Sequence, residues 1–266
     1  MRHLITKQNR ALLSELVRTD FKLRYQGSIL GYAWSLLRPL LLFAILYLVF
    51  VKFLKVGGDT PHFPVYLLLG IVVWNFFVEM TSQSLGSIVG RGDLIRKIKI
   101  PRWMIVLSSS LSALINLGLN LIVVCVFIII NGVDIRFSIL WLPLILLQVY
   151  LFAAGLSLFL SAAFVKYRDI SFIWEVTLQG AFYLTPILYP ISRITNPTLQ
   201  KLLFLNPMTQ TIQDARYAVV TDQTLTIHQA FDGGWYALLP YVATVAVLII
   251  GVLYFKKESK YFAENI

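Results

Sequence analysis

Six long apolar runs, separated by short polar or charged segments, set the plan of this chain. They fall at roughly 36–55, 63–83, 104–130, 139–165, 172–190 and 235–255. About 20 mostly apolar residues cross the hydrocarbon layer of a bilayer as a helix. The pattern therefore predicts an all-α integral membrane protein with six transmembrane helices. The fifth run is the weakest, because it carries Glu175 and ends in TPILYP, where Pro186 and Pro190 are expected to break the helix. Ahead of the first run, over 8–26, Leu12, Leu13, Leu16, Val17 and Phe21 share one helical side. Lys7, Glu15, Arg18 and Lys22 take the other. Such a helix is expected to lie in the membrane interface, apolar side down. Asp20 sits within the apolar stripe, and Arg24, four residues on, is its expected ion partner. Between the last two runs, segment 191–234 contains two amphipathic pieces, LQKLLFL and IQDARYAVV, each too short to span. Short re-entrant helices at the external face fit them, because irregular backbone at that depth has to be buried in protein.

Charge fixes the orientation. With the N-terminus inside, 17 of the 23 Lys and Arg fall on cytoplasmic segments and 6 on external ones. Cytoplasmic loops of membrane proteins are enriched in these residues, so both termini are expected in the cytoplasm. The same asymmetry offers a membrane-protein account of the net charge of +10 and removes most of the reason to invoke nucleic acid. The N-terminal stretch is charged and lacks the apolar core of a cleavable signal, so it is expected to be retained. No repeat or low-complexity linker interrupts the chain, which reads as one domain over 1–266.

Little in the sequence offers chemistry. Cys125 is the single cysteine, and His3, His62 and His228 are scattered, so neither a disulfide framework nor a metal cluster is expected. There is no Gly-x-x-x-x-Gly-Lys-Ser/Thr loop for nucleotide, no His-Glu-x-x-His and no Gly-x-Ser-x-Gly. The acids outside the runs are isolated rather than closely paired, as sugar transfer would need. No catalytic residue is expected, and the chain is read as not being an enzyme.

Four blocks, in order, resemble one family. DFKLRYQGSILGYAWSLLRPLL (20–41), GDLIRKIKIPRW (92–103), RDISFIWEVTLQGAFYLTPILYP (168–190) and LNPMTQTIQDARYAVV (205–220) are similar to ABC type-2 transporter permeases. The similarity is narrower still to the branch exporting polysaccharides, O-antigen and teichoic acids. In the last block this sequence reads NPMTQTIQDARY where many of that branch carry a Glu-Gly-Tyr-Arg-like stretch. The resemblance implies a half-transporter of the bacterial cytoplasmic membrane. Two copies would pair, and two separate ATPase subunits, carrying the ATP and Mg, would dock beneath them. The implied cargo is a lipid-linked glycan moved to the external face. A membrane-embedded polyprenol-dependent glycosyltransferase and an ABC exporter of another lipid or a drug are the competing readings.

The segment GRGDLIRKIKIPRW (90–103) concentrates Arg91, Arg96, Lys97, Lys99 and Arg102 against one acid. Orientation alone makes cytoplasmic loops basic, yet three features point further. Asp93 is placed to cap a short helix through Ile98. Leu94, Ile95 and Ile98 would share a side as an apolar knob for a partner's groove. Pro101 would stop the helix before the third span. With the resemblance, 86–103 is the expected first coupling helix region, its contacts Asp93, Leu94, Ile95, Arg96 and Ile98. Arg168 and Asp169 in KYRDIS (166–171) are the counterpart.

Arg38, Glu79 and Glu175 lie in or at the cytoplasmic ends of spans. An isolated charge at mid-membrane costs roughly 2.5–3.5 kcal/mol on insertion scales, so partners are expected. Two roles fit: an Arg–Glu cluster pinning helix ends, with Arg38 paired to Glu79 or Glu175, or a gate at which Arg38 meets the carrier's pyrophosphate. Most aromatic residues suit an interfacial belt. Trp34, Trp74, Phe77, Trp174, Phe182 and Tyr183 are instead candidates for a glycan conduit, where ring faces would meet sugar C–H faces.

Overall fold

The computed structural model describes residues 7–262, apart from 26, 29, 57–59 and 98–99; Ile98 thus lies outside the described residues. The described residues form helices and turns without a strand. In chain order the helices are α1 (Lys7–Tyr25), α2 (Trp34–Leu46, continued by a π-helical stretch Tyr47–Phe53), α3 (Phe63–Ser87) and α4 (Gly92–Lys97). Then come α5 (Trp103–Ile130), α6 (Leu142–Lys166), α7 (Ile170–Leu184) and α8 (Pro197–Phe204). Last are α9 (Pro207–Val219), α10 (Ile227–Ala230) and α11 (Leu239–Glu258).

Five stretches are long and apolar enough to cross a membrane: Trp34–Phe53, Phe63–Ser87, Trp103–Ile130, Phe137–Lys166 and Trp235–Tyr261. The remaining expected span is different. α7 has only 15 residues. At ~1.5 Å per residue it falls short of the ~30 Å hydrocarbon layer. It stops where the sequence says it should: Thr185, pushed off the helical region by the proline after it, is extended at ψ 129°. Thr185–Leu188 and Pro190 are nevertheless buried. The chain is a multi-pass membrane protein whose outward-facing belt is apolar, with Leu41, Ile45, Ile122, Ile129, Val245 and Ile249 all exposed.

α3 is the axis of the bundle. Its segment Val65–Trp74 is apolar on every side and buried on every side, the signature of a helix surrounded by protein. α5 and α6 pack along it, α2 and α7 touch it more lightly, and α9 wedges against one end. α1 lies on α5, and α11 lies on the far side of α6. The α6–α11 crossing depends on two glycines. A Cβ on Gly155 would stand 2.6 Å from the Cα of Leu248, and one on Gly251 would strike the backbone of Gly155. Without a hydrophobic drive between helices in lipid, such close backbone approach is what supplies the packing.

Local chemistry explains the irregular points. Pro39 inside α2 removes the N–H that would bond to the carbonyl of Ser35, and Asn120 of α5 donates its Nδ2 to that oxygen at 3.3 Å. α8 and α9 both start at Asn-Pro. Asn196 accepts from the Thr198 N–H at 2.9 Å and Asn206 from the Met208 N–H at 3.0 Å, each with proline as the next residue. At the end of α5, Gly132 takes φ +62°, and Val133 N–H reaches the Ile128 carbonyl at 3.1 Å, closing the helix.

The α6–α11 contact yields a direct prediction. Gly155→Leu must separate the two backbones, and overpacking of this kind costs about 1–3 kcal/mol or more. Fluorescence-detected size exclusion of the variant in mild detergent should show a reduced folded peak that melts at lower temperature. An unchanged peak and melting temperature would show that the crossing tolerates separation.

Candidate functional site

At one end of the bundle, the chain leaves α3 through a turn, Val89–Arg91, and enters α4. Arg91 turns back and pairs with the carboxylate of Asp20 on α1. Its Nη1 also donates to Ser108 Oγ on α5 at 2.9 Å, and that hydroxyl lies 3.1 Å from Asp20 Oδ2. The two charged side chains are only 18% and 20% exposed, so this triad is largely sheltered. Local spacing pointed to Arg24, whose side chain lies outside the described residues; the described partner of Asp20 is far along the chain. The approach of α1 to α5 creates that pairing, and an i, i+4 rule on one helix does not register it.

α4 begins at Gly92, so Asp93 lies inside its first turn and complements the helix dipole there instead of capping from outside. Asp93 and Arg96 are exposed, and Leu94 and Ile95 are half-buried. Ile95 packs inward on a cluster with Ile88, Ile105, Val165, Phe255 and Phe262. Arg102 donates to the Ser259 carbonyl, tying the start of α5 to the end of α11. The turn between α6 and α7 exposes Arg168 and Asp169, with the Arg168 guanidinium 5.2 Å over the ring of Phe164.

From Ser108 a polar seam runs up α5 through Ser112, Asn116 and Asn120, all buried and four residues apart. Asn116 donates Nδ2 to the carboxylate of Glu79, and Gln83 donates to Glu79 Oε1 at 2.8 Å. Glu79 is thus half-buried among amides. Arg38 and Glu175 are exposed on their helices, and no pairing of either with Glu79 is present among the described residues. The repeat of Ser and Asn every fourth residue was legible in SSSLSALINLGLN, but sequence reasoning concentrated on full charges and missed it.

The aromatic candidates divide. Trp74 and Phe77 are each 4% exposed. Their centroids lie 5.5 Å apart; Trp74 stands 5.9 Å from Phe182, and Phe77 6.2 Å from Trp174. Trp174 also donates Nε1 to Thr81 Oγ1 at 3.2 Å. These rings fasten α7 to α3 and α6, so in this structure Trp74 and Phe77 offer no face to a conduit. The reason is the burial of α3 on every side, which ring identity cannot reveal. Tyr183 and Trp34 are exposed, and Trp174 and Phe182 are half-buried.

At the other end, α9 is buried nearly all round, polar residues included. IQDARYAVV looked amphipathic because one side is polar; that side is turned into protein. Arg216 is fully enclosed. Its Nε donates to the Tyr66 carbonyl at 3.0 Å, Nη1 to Pro186 at 2.6 Å and Nη2 to Ile187 at 2.7 Å. The guanidinium carbon lies 3.7 Å from the centroid of the Tyr66 ring. Gly70 makes room, since a Cβ there would meet Nη2 at 2.4 Å. Beside it, Gln210 accepts from Gln148 at 2.5 Å and donates to Asp214 at 2.5 Å, linking α6 to α9, while Tyr241 of α11 lies 3.1 Å from Gln210 Nε2. Burial pushes the Asp214 carboxyl up, against the lowering effects of Gln210, His228 and Tyr241. Among the described residues no group of His, Cys, Asp and Glu is arranged to hold a metal.

One family model, ABC-2 type transporter, matches residues 11–220 of this chain. The chain belongs to the ABC-2 type transporter family. An O-antigen export system permease protein RfbA of Klebsiella pneumoniae is 28% identical over 254 residues, 95% of this chain and 94% of that protein. The RfbA protein of Myxococcus xanthus is 31% identical over 76% of this chain and 77% of that one. The polysialic acid transport protein KpsM of Escherichia coli is 24% identical over 79% and 80%.

In this ABC-2 transporter chain, two sheltered cation sites generate the sharpest expectations. Arg216→Met takes the donors away from the buried Pro186 and Ile187 carbonyls, each worth about 1–3 kcal/mol. It should lose most folded protein on size exclusion, with Arg216→Lys intermediate because one ammonium cannot reproduce the fork. An Arg216→Met variant melting like the parent would remove the latch from the fold. For Asp20 and Arg91, a double-mutant cycle of Asp20→Asn and Arg91→Gln on melting temperature should give strong non-additivity, above the ~1 kcal/mol ceiling typical of exposed pairs. Simple additivity would reduce the pair to surface decoration.

Proposed function

We infer that this chain is the membrane-spanning subunit of an ATP-binding cassette exporter in the bacterial cytoplasmic membrane. It moves a lipid-linked polysaccharide, of the O-antigen, capsule or teichoic acid class, from the cytoplasmic to the external face. The observation that carries the reading is similarity over almost the whole length to a protein named as an O-antigen export permease. ATP and Mg bind a separate ATPase chain. α4 and the Arg168–Asp169 turn supply the docking surface for it, with Asp93 and Arg96 exposed, Leu94 half-buried beside them and Ile95 passing movement to the cluster beneath. Both termini face the cytoplasm, with α1 in the interface and α8, α9 and α10 at the external face. α7 together with Thr185–Pro190 completes a sixth crossing.

Two copies of the chain pair through α7. That helix has no buried residue, and Phe172, Ile173, Val176, Tyr183 and Leu184 are exposed beside Glu175, Thr177 and Gln179. Polar side chains in a span face a partner or a wet path in preference to lipid. A passage between the two copies would meet Tyr183, Trp34 and the exposed Glu175 and Arg38, with Trp174 and Phe182 at its edge. The deciding experiment isolates the tagged chain from its native membranes in mild detergent and measures intact mass. Two copies of it with two copies of an ATP-binding subunit are expected. Recovery with soluble sugar-transfer enzymes and no ATPase would overturn the reading.

The docking surface has its own test. Leu94→Asp puts a charge on the apolar knob, and loss of a central contact of this kind costs about 2 kcal/mol, more than tenfold in affinity. The variant should reach the membrane at parental levels, release the ATPase subunit and leave lipid-linked glycan inside the cell. Undiminished retention of the ATPase would move the docking surface elsewhere.

A further inference from the structure

Beside α4 lies a groove of about 710 Å³ between Ile95 of α4, the Ile100–Trp103 entry to α5, Leu158 of α6 and the end of α11. Its floor is apolar, formed by Trp103, Leu158, Val252 and Phe255. Arg102 and Lys256 line the same groove, and among the described residues no carboxylate does. Along α11 the lining residues Val252, Phe255, Lys256 and Ser259 follow a helical face. Glu258 lies off that face. Arg102 is held in place by its bond to the Ser259 carbonyl, which leaves other guanidinium donors directed by the same anchor. Val252 and Lys256 are exposed, so the groove opens at the surface of the bundle.

The two ends of this groove ask for different things from one occupant. Leu158 and Val252 belong to membrane-spanning stretches, so the floor lies at a depth that a soluble protein does not reach. Arg102 and Lys256 lie near helix ends, at the water boundary, where paired cations recognise an acidic headgroup. We propose that this groove seats one acidic phospholipid from the leaflet at the α4 end of the bundle, its phosphate between Arg102 and Lys256 and an acyl chain along Leu158, Val252 and Phe255. The site holds whichever way the chain is oriented and whatever it exports. It sets a lipid against Trp103 and Ile95, hence against the element proposed to meet the ATPase.

The full-length chain, reconstituted in nanodiscs of equal phosphatidylglycerol and phosphatidylcholine with matched acyl chains, is released into mild detergent and its retained lipids are counted by native mass spectrometry. Phosphatidylglycerol should be retained in preference. Lys256→Gln, at an exposed position, should lower that retention about fivefold, the worth of one basic residue near an acidic surface. Val252→Trp should fill the groove and abolish it. Equal retention of phosphatidylcholine would overturn the proposal, as would retention unchanged in Lys256→Gln. Displacement by soluble glycerol phosphate at equal concentration would also overturn it, because the apolar floor would then contribute nothing.

Discussion

A guanidinium enclosed in protein, with three backbone carbonyls and one aromatic face around it, dictates how one half of this bundle is built. Arg216 reaches from α9 to Tyr66 on α3 and to Pro186 and Ile187 beyond α7. The stretch after α7 is irregular, and irregular backbone within a membrane protein survives only where its carbonyls find donors. Arg216 supplies two of them, with its rigid fork spanning adjacent carbonyls that a lysine would not bridge. The oxygens take the place of the water that an isolated buried cation would need. Tyr66 adds its ring to the cation and its hydroxyl to Gln213, 3.1 Å away. Gly70 belongs to the same arrangement, since any side chain there would occupy the space of Nη2.

At the opposite end the same physics appears in smaller pieces. Asp20, Arg91 and Ser108 come from α1, the turn before α4, and α5, so three elements meet at one ion pair. Above them, amides and hydroxyls of α5 meet Glu79 and the carbonyl that Pro39 leaves free on α2. Ser108, Asn116 and Asn120 each reach a polar group on another helix, while Ser112 bonds back to the Ser108 carbonyl, and the cross-helix bonds fix the helices in register more sharply than apolar contact does. α4 is attached to this framework through Arg91 on one side and Ile95 on the other. The coupling role proposed for α4 would act through these two contacts, Arg91 toward α1 and the cluster around Ile95 toward α11.

Much of the plan was legible before any coordinates. The membrane-length helices follow from runs of apolar residues, and the break at TPILYP from two prolines. The starts of α8 and α9 are written as Asn-Pro. A helix ahead of the first span was visible in its stripe, and among the described side chains of α1 Leu16 is the buried one. Sequence reasoning went astray where residue type is ambiguous. Tryptophan and phenylalanine serve equally well in a core and along a passage, and Trp74 and Phe77 went to the core. Arg91, 71 positions along the chain from Asp20, is a described partner that local spacing could not supply, and the expected partner Arg24 lies outside the described side chains.

The amino-acid sequence by itself determined where the long apolar helices lie and where several of them break. Those properties are local: hydropathy over a span, a missing N–H at proline, a side-chain oxygen beside an open helix end. The tertiary structure alone decided which helix lies at the centre, which polar residues meet, and which faces remain open. Glu79 and Asn116, or Arg216 and Pro186, are joined by the crossing of helices far apart in the chain. In a membrane protein those crossings depend on small features such as Gly155 against Gly251, where the absence of two side chains lets backbones touch. Such a contact has no periodicity to betray it, because its energy lies in the fit between two surfaces and not in either one.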